Sequence, residues 1–454
     1  MAYKSFNPFT LQEIASYPEH TVEEIQSMLG RSNSAFLGWR RYSLNKRLER
    51  VSQIADHLED NYRHYAIVIS QEMGKKIEEA NQEVIKCALL CRYYIKHSGE
   101  FLKKKSWEIG RDSVRIQYDA QGAIFGVMPW NYPFWQVFRF AIPNLILGNT
   151  ILLKHASNVG GCANQIESIF TLSGFPKDVY QNVRVSSSRV EELIGSSLVR
   201  GVSLTGSENA GRSVAEISGR HLKKVVLELG GSNSFIVLPD ASIRKAVKAA
   251  VQARLVNSGQ SCISGKRFIV HKSLLPEFTK ILLSELSEFR VGDPMLASTS
   301  LAPLARLDLV DELERQILLS IEQGAKCILR PERRGCMISP TVLTKVKPGN
   351  VAFDEELFGP VFSLCSYNTL DQAIELSNSS RFGLGATVFG RNKEHLERFA
   401  NELDEGAVFF NYPVRSNPAL PFGGVKNSGF GREMGIYGML EFANIKSVFL
   451  GKKK

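Results

Sequence analysis

The sequence predicts an α/β protein with two parallel sheets, and three observations carry that reading. After residue 127, strand-like runs at "TILLK" (150–154), "VRGVSLT" (199–205) and "KKVVLELG" (223–230) alternate with helical segments. Parallel strands need such crossovers, so the alternation points to a parallel sheet. A second alternating block begins after Gly230, and a chain of 454 residues is long enough for two or three cores.

The elements follow in order. From Thr21 to Leu102, Val22, Ile25, Met28 and Leu29, then Leu48, Val51, Ile54, Ala55 and Leu58, recur at three- and four-residue steps, which predicts amphipathic helices. "SVRIQYDAQGAIFGV" (113–127) reads as a hairpin, two β-rich segments joined at the turn-forming "DAQG". In "SLTGSENAG" (203–211) a strand ends at Leu204 or Thr205, Gly206 lets the chain turn, and Ser207 can cap the next helix. "SFIVL" is a short apolar strand, and Asp240 is placed to cap a helix whose Ile243, Ala246, Val247, Ala250 and Val251 share one face. That helix leads into "NSGQSCISGKR" (257–267), a loop of small and polar residues that delivers the chain to the strand "KRFIVH" and the helix "SLLPEFTKILLSELSEF". Residues 429–454 close with a short helix and a strand-like "IKSVFL", whose missing partner hints at an oligomer.

Composition excludes several classes. The net charge is +10, but basic residues are spread along the chain and lack the interleaved aromatics of a single-strand binder, which argues against nucleic acid. Seven cysteines are too few and odd in number for a disulfide framework, so a reducing compartment and free thiols are expected. No basic start and apolar core of a signal peptide is present, and the apolar stretch from Phe138 is broken by Arg139, Pro143, Asn144, Gly148 and Asn149. A soluble, cytoplasmic protein without membrane contact is expected. Cys87 and Cys91, four apart with His97 nearby, could form one side of a metal site; without a second cluster they read as buried helix-face cysteines, and no metal is expected.

The glycine-rich dinucleotide and P-loop signatures, H-E-x-x-H and G-x-S-x-G are all absent. Four weaker features remain open. The helix start at Ser207 offers free N–H groups to a pyrophosphate, or is an ordinary strand–helix turn. Glu228 in "LELGG" faces away from Leu227 and Leu229, towards solvent or a cleft. Asn131 in "MPWNYP" is a turn-former or an oxyanion donor. Cys262 is a nucleophile or a small residue in a tight loop.

In this order and spacing, "PWNYP", "LLKHAS", "LTGS", "LELGG", "NSGQSC", "EELFGPV" and "PFGGVKNSGFGRE" resemble the aldehyde dehydrogenase superfamily from about Asn7 to about Phe449. The resemblance implies that Cys262 attacks an aldehyde, that Asn131 and the Cys262 backbone N–H hold the oxyanion, and that Glu228 activates the water that releases the acyl group. For the cofactor it implies Trp130, Lys154 and Ser157, with Lys154 at the adenosine ribose, Gly206 and Ser207 at the pyrophosphate, and Glu356 and Phe358 at the nicotinamide ribose. It implies an aldehyde dehydrogenase-like α/β fold: a cofactor-binding domain (1–112 and 128–229), a catalytic domain (230–415) and a small β oligomerisation element (113–127 and 429–454), assembled as a homodimer or homotetramer.

Ser157 stands where many NAD-preferring members have a glutamate; a small hydroxyl admits a 2′-phosphate, so NADP is favoured and NAD allowed. "KHASN" resembles a bacterial succinate-semialdehyde dehydrogenase branch, with His155 read as a packing residue. Arg139 aligns with an arginine that such enzymes use for the substrate carboxylate, or forms a core salt bridge, and Arg415 borders the entrance. Val256 replaces a second arginine of some members, and Ser264 removes a possible disulfide partner for Cys262. The resemblance therefore implies a small-molecule aldehyde as substrate, foremost succinate semialdehyde. Another semialdehyde or an aliphatic aldehyde, transfer to CoA, and a non-catalytic binding protein of the same fold are the alternatives.

Overall fold

The computed structural model describes residues 2–451. Five parallel strands, Lys224–Glu228, Val199–Thr205, Ala123–Met128, Thr150–His155 and Tyr180–Asn182 in spatial order, form the first sheet, and the two-residue strand Gly429–Phe430 joins its edge antiparallel to Lys224–Glu228. Successive side chains point to opposite faces, so an apolar run covers both. Ile124, Ile151, Leu153 and Val226 pack with the helices Leu44–Met73, Ile77–Phe101, Trp135–Leu147 and Gly160–Leu172. Phe125, Leu152, Val202, Leu204 and Leu227 pack on the other face, with the helices Val22–Trp39, Val190–Ile194 and Glu208–Arg220.

The second sheet has seven strands: Lys326–Leu329, Thr341–Thr344, Val361–Tyr367, Gly265–His271, Asn233–Val237, Ala386–Phe389 and Val408–Phe410, all parallel except the first. Phe235, Phe268 and Phe362 pack on one side with the helices Ile243–Leu255 and Leu275–Leu286, and Ile236, Ile269 and Val388 on the other. The expected α/β architecture with two largely parallel sheets is thus the observed one.

Two local expectations are corrected. Residues 113–127 do not form a hairpin: Asp112–Ala120 pairs antiparallel with Lys105–Ile109 and with Ala443–Leu450, whereas Ala123–Met128 enters the first sheet. The bend between them is no two-residue turn, because Asn149 Oδ1 accepts the N–H groups of Gln121 (2.7 Å) and Gly122 (3.2 Å). Ala123–Met128 is buried on both faces and Asp112–Ala120 is half-exposed, so the two segments belong in different sheets. The same sheet supplies the missing partner of the C-terminal strand. Asp240 does not cap its helix, which starts after Ser242; its Oδ2 instead accepts the N–H groups of Arg391 (2.9 Å) and Asn392 (2.7 Å).

Cys87 and Cys91 are fully buried in the apolar core, and among the described residues no helix is long and apolar enough to cross a membrane. The first sheet reverses its strand order between Ala123–Met128 and Val199–Thr205. Ligands of open α/β sheets bind outside the carboxyl ends of strands at such a point. The loops that follow these two strands carry "PWNYP" and "TGS".

Candidate active site

The helix Ile243–Leu255 runs into a tight turn at Val256–Gly259, where Asn257 (φ 51°), Ser258 (φ 55°) and Gly259 (φ 80°) are all left-handed. Such non-glycine residues cost about 1–3 kcal/mol each and persist only where the surroundings fix them. Here Asn257 N donates to Glu79 Oε2 (2.8 Å), Asn257 Nδ2 to Asn131 O (2.8 Å) and Ser258 Oγ to Ala302 O (2.7 Å). At Gly259 a Cβ would meet the backbone of Gly359, so only glycine fits. This anchored turn sets Cys262 in the wall of a cavity of about 580 Å³, whose lining includes Trp135, Arg139, Lys86 and Arg415.

Asn131 is 4% exposed and oriented at three points. Its Oδ1 accepts from Gln136 Nε2 (3.1 Å), its Nδ2 donates to Gln260 O (3.0 Å), and its backbone oxygen accepts from Lys75 Nζ (2.9 Å). An amide nitrogen has two hydrogens, and Gln260 takes one. Lys75 is itself buried in an ion pair with Glu83, and Glu83 Oε1 accepts the N–H groups of Phe134 (2.8 Å) and Trp135 (3.0 Å) at the start of the Trp135–Leu147 helix. Glu83 thus ties the helix start to the loop that carries Asn131.

Glu228 ends its strand fully enclosed, 2% exposed, and neither carboxyl oxygen has a hydrogen-bond partner. Gly429–Phe430 pairs with Glu228 and Leu227, and a Cβ on Gly423 would stand 2.8 Å from Glu228 Oε1. Burial, and then the like charge of Glu433, pushes the Glu228 carboxyl well above its ordinary range. Burial therefore favours the protonated acid in this state. Burial also pushes the Cys262 thiol up to about 11, against the opposing pull of Arg139 and Lys266. Lys266 Nζ donates to the backbone oxygens of Ser261 and Cys262 (both 2.9 Å) and pairs with Glu356 (3.0 Å), which also accepts from Gly231 N (3.1 Å).

The residues expected at the cofactor fall into two groups. Around the Cys262 loop, Glu356 meets Lys266, and Phe358 stands edge-on to Trp130 with ring centroids 5.9 Å apart. At the carboxyl ends of the first sheet, Lys154 is buried at the end of its strand and Ser157 is exposed in the turn that follows. Gly206 N donates to Glu228 O (3.0 Å), and Ser207 caps the Glu208–Arg220 helix through Ala210 N (3.3 Å). A lysine, a helix N-terminus and an exposed small hydroxyl suit the ribose and phosphates of a dinucleotide.

His155 is a packing residue: Nε2 donates to Pro133 O (2.8 Å), Nδ1 accepts from Ala156 N (2.9 Å), and burial holds its pKa down to about 4. Arg139 lines the cavity but is already partnered. Its guanidinium forms an ion pair with Glu433, donates to Thr205 Oγ1 (3.2 Å) and lies over the Phe422 ring at 4.7 Å. Arg415 is exposed and donates to Tyr412 Oη (2.7 Å).

Lys75, Glu83, Lys86, Lys266 and Glu433 escape the sequence reading. For Glu83 a signal existed: it lies in the apolar stripe of Ala80, Val84, Cys87, Ala88 and Cys91, where an unpaired acid is costly. Glu433 closes the quoted "GFGRE", but nothing in its local pattern shows that it folds back onto Arg139.

Fold and site together fit an oxidoreductase type, with a thiol in the wall of a cavity, a buried acid near it, and a lysine and a helix N-terminus at the carboxyl ends of a parallel sheet. The aldehyde dehydrogenase family model matches residues 1–448. A probable succinate-semialdehyde dehydrogenase [NADP(+)] from Synechocystis sp. is 41% identical over 99% of this chain and 100% of its own length. A succinate semialdehyde dehydrogenase [NAD(P)+] from Escherichia coli is 39% identical over 98% of this chain and 97% of its own. The crystal structure of succinic semialdehyde dehydrogenase from Streptococcus pyogenes in complex with NADP+ superposes with a TM-score of 0.96, at 34% identity, covering 98% of this chain and 99% of that one. The chain belongs to the aldehyde dehydrogenase family.

Proposed function

We propose that this protein oxidises succinate semialdehyde to succinate with NADP as the preferred cofactor. The observation that carries the reading is a cavity lined both by Cys262 and by the cations Lys86, Arg139 and Arg415, which an aldehyde with a distal carboxylate could use. The names of the relatives support the same substrate and cofactor. Cys262, as thiolate, adds to the aldehyde carbon, and the free hydrogen of Asn131 Nδ2 with the Cys262 N–H stabilises the oxyanion. Lys154, Ser157, Gly206 and Ser207 would hold the adenosine ribose and phosphates of the dinucleotide, and Trp130, Glu356 and Phe358 its nicotinamide end; when bound, the cofactor would supply the hydride acceptor. Glu228, once ionised, takes a proton from the water that attacks the thioester.

Steady-state kcat/KM for succinate semialdehyde against butanal, each with NADP and with NAD, tests the reading. A wild-type enzyme that prefers butanal, or another semialdehyde, excludes the proposed substrate. For the cofactor, Ser157→Glu is expected to shift the NADP:NAD ratio of kcat/KM towards NAD by roughly 100-fold, since a carboxylate repels the 2′-phosphate and accepts from a ribose hydroxyl. An unchanged ratio removes Ser157 from cofactor choice. The two α/β units are read as cofactor-binding and catalytic domains. The sheet of Lys105–Ile109, Asp112–Ala120 and Ala443–Leu450, which exposes Trp107, Ile445 and Phe449, is read as the dimer or tetramer contact of a cytoplasmic enzyme.

A further inference from the structure

Lys86 reaches the substrate cavity from the Ile77–Phe101 helix, with its ammonium 3.9 Å over the Trp135 ring and donating to Ser416 Oγ at 2.5 Å. Both partners are uncharged. The nearest acid on its own helix, Glu83, is taken by Lys75, and among the described residues no carboxylate stands within ion-pair distance of Lys86.

A substrate carboxylate gains most from a cation that has no counter-ion and is shielded from water. Arg139 fails the first condition, because Glu433 neutralises it and Thr205 takes a further N–H. Arg415 fails the second, being exposed and stacked on Tyr412 at 4.3 Å. Lys86 meets both. Ser416 is buried beside it, and a hydroxyl that accepts from the ammonium still has its own hydrogen to donate.

We propose that Lys86 is the specificity-determining residue of the cavity: its ammonium, seated on Trp135, binds the distal carboxylate of the aldehyde, and Ser416 Oγ donates the second hydrogen bond. The assignment rests on the semialdehyde reading above and moves its decisive charge from Arg139 to Lys86. It also carries a pH signature. Burial, then Arg139, holds the Lys86 ammonium down to about 8; Cys87 and Glu83 on its own helix act the other way, and Lys75 acts with Arg139. Selection for a charged aldehyde is therefore full below that value and fades as pH rises through it.

The test compares kcat/KM for succinate semialdehyde and for butanal in the wild type, Lys86→Met and Lys86→Arg, from about pH 6.5 to about pH 9.5. The ratio of the two substrates cancels the titrations of Cys262 and Glu228, which both reactions share. Lys86→Met is expected to lower the ratio roughly 10- to 100-fold, mostly through KM of the charged substrate, and Lys86→Arg to restore most of it. The wild-type ratio should fall above about pH 8, and that of Lys86→Met should stay flat. A preference that survives in Lys86→Met, or an equal loss on both substrates, overturns the role of Lys86 and leaves the substrate reading standing. A wild type without preference for the charged aldehyde overturns the substrate reading, and Lys86 with it. Should Lys86→Met fail to fold, the wild-type profile decides alone: a ratio constant across the range overturns the assignment.

Discussion

Cys262→Ser is expected to lower kcat/KM for every aldehyde by roughly 10⁴-fold or more while leaving NADP binding, read by quenching of protein fluorescence, within about twofold. The thiol in this state titrates only near about 11, so a small fraction is ionised at neutral pH. A serine hydroxyl in the same apolar setting ionises far less, and among the described residues no histidine lines the cavity to compensate. The direction of the thiol shift gives a second measurement. Alkylation of Cys262 by iodoacetamide in the cofactor-free protein should accelerate about tenfold per pH unit past the ordinary thiol value of about 8.5 without levelling off. Levelling near 8.5 would mean that Arg139 and Lys266 fully offset burial. Retained turnover in Cys262→Ser would remove the cysteine from the chemistry altogether.

Glu228→Gln is expected to keep a pre-steady-state burst of one NADPH per site and to lower the following steady rate by roughly 10²- to 10⁴-fold. On the proposed mechanism the burst reports attack and hydride loss at Cys262 and Asn131, and the slow phase reports release of the acyl group by a base. Because burial and Glu433 raise the Glu228 pKa, the basic form grows with pH, so the wild-type steady rate should climb with pH in a way that Glu228→Gln does not. A variant with an unchanged steady rate would show that another group activates the water.

The strands were legible in the sequence because runs such as Thr150–His155 and Asn233–Val237 are apolar on both faces, as parallel strands between helix layers must be. The false hairpin at 113–127 arose where local turn chemistry was sound but a distant side chain, Asn149, had claimed the backbone donors. Asp240 misled in the same way, with Arg391 and Asn392 as its partners. In the site, motif spacing pointed to Cys262, Glu228 and Asn131, yet not to their environment. That Glu228 is enclosed depends on Gly423 and Gly429–Phe430, and that Arg139 is neutralised depends on Glu433, all from the last part of the chain. Burial produced by residues so far away leaves no periodic trace near the group it buries.

The antiparallel pairing of Gly429–Phe430 with Leu227–Glu228 has a consequence for how the protein is made. Synthesis runs from the N-terminus, so both sheets and the Cys262 loop emerge from the ribosome while the stretch that encloses Glu228 and neutralises Arg139 is still inside it. Until that stretch arrives, Glu228 lies open at the edge of its sheet, without the burial that pushes its carboxyl up. That later stretch closes the site around Glu228 and cancels the charge of Arg139, so the electrostatics of the site are set after the fold that carries Cys262 is already built.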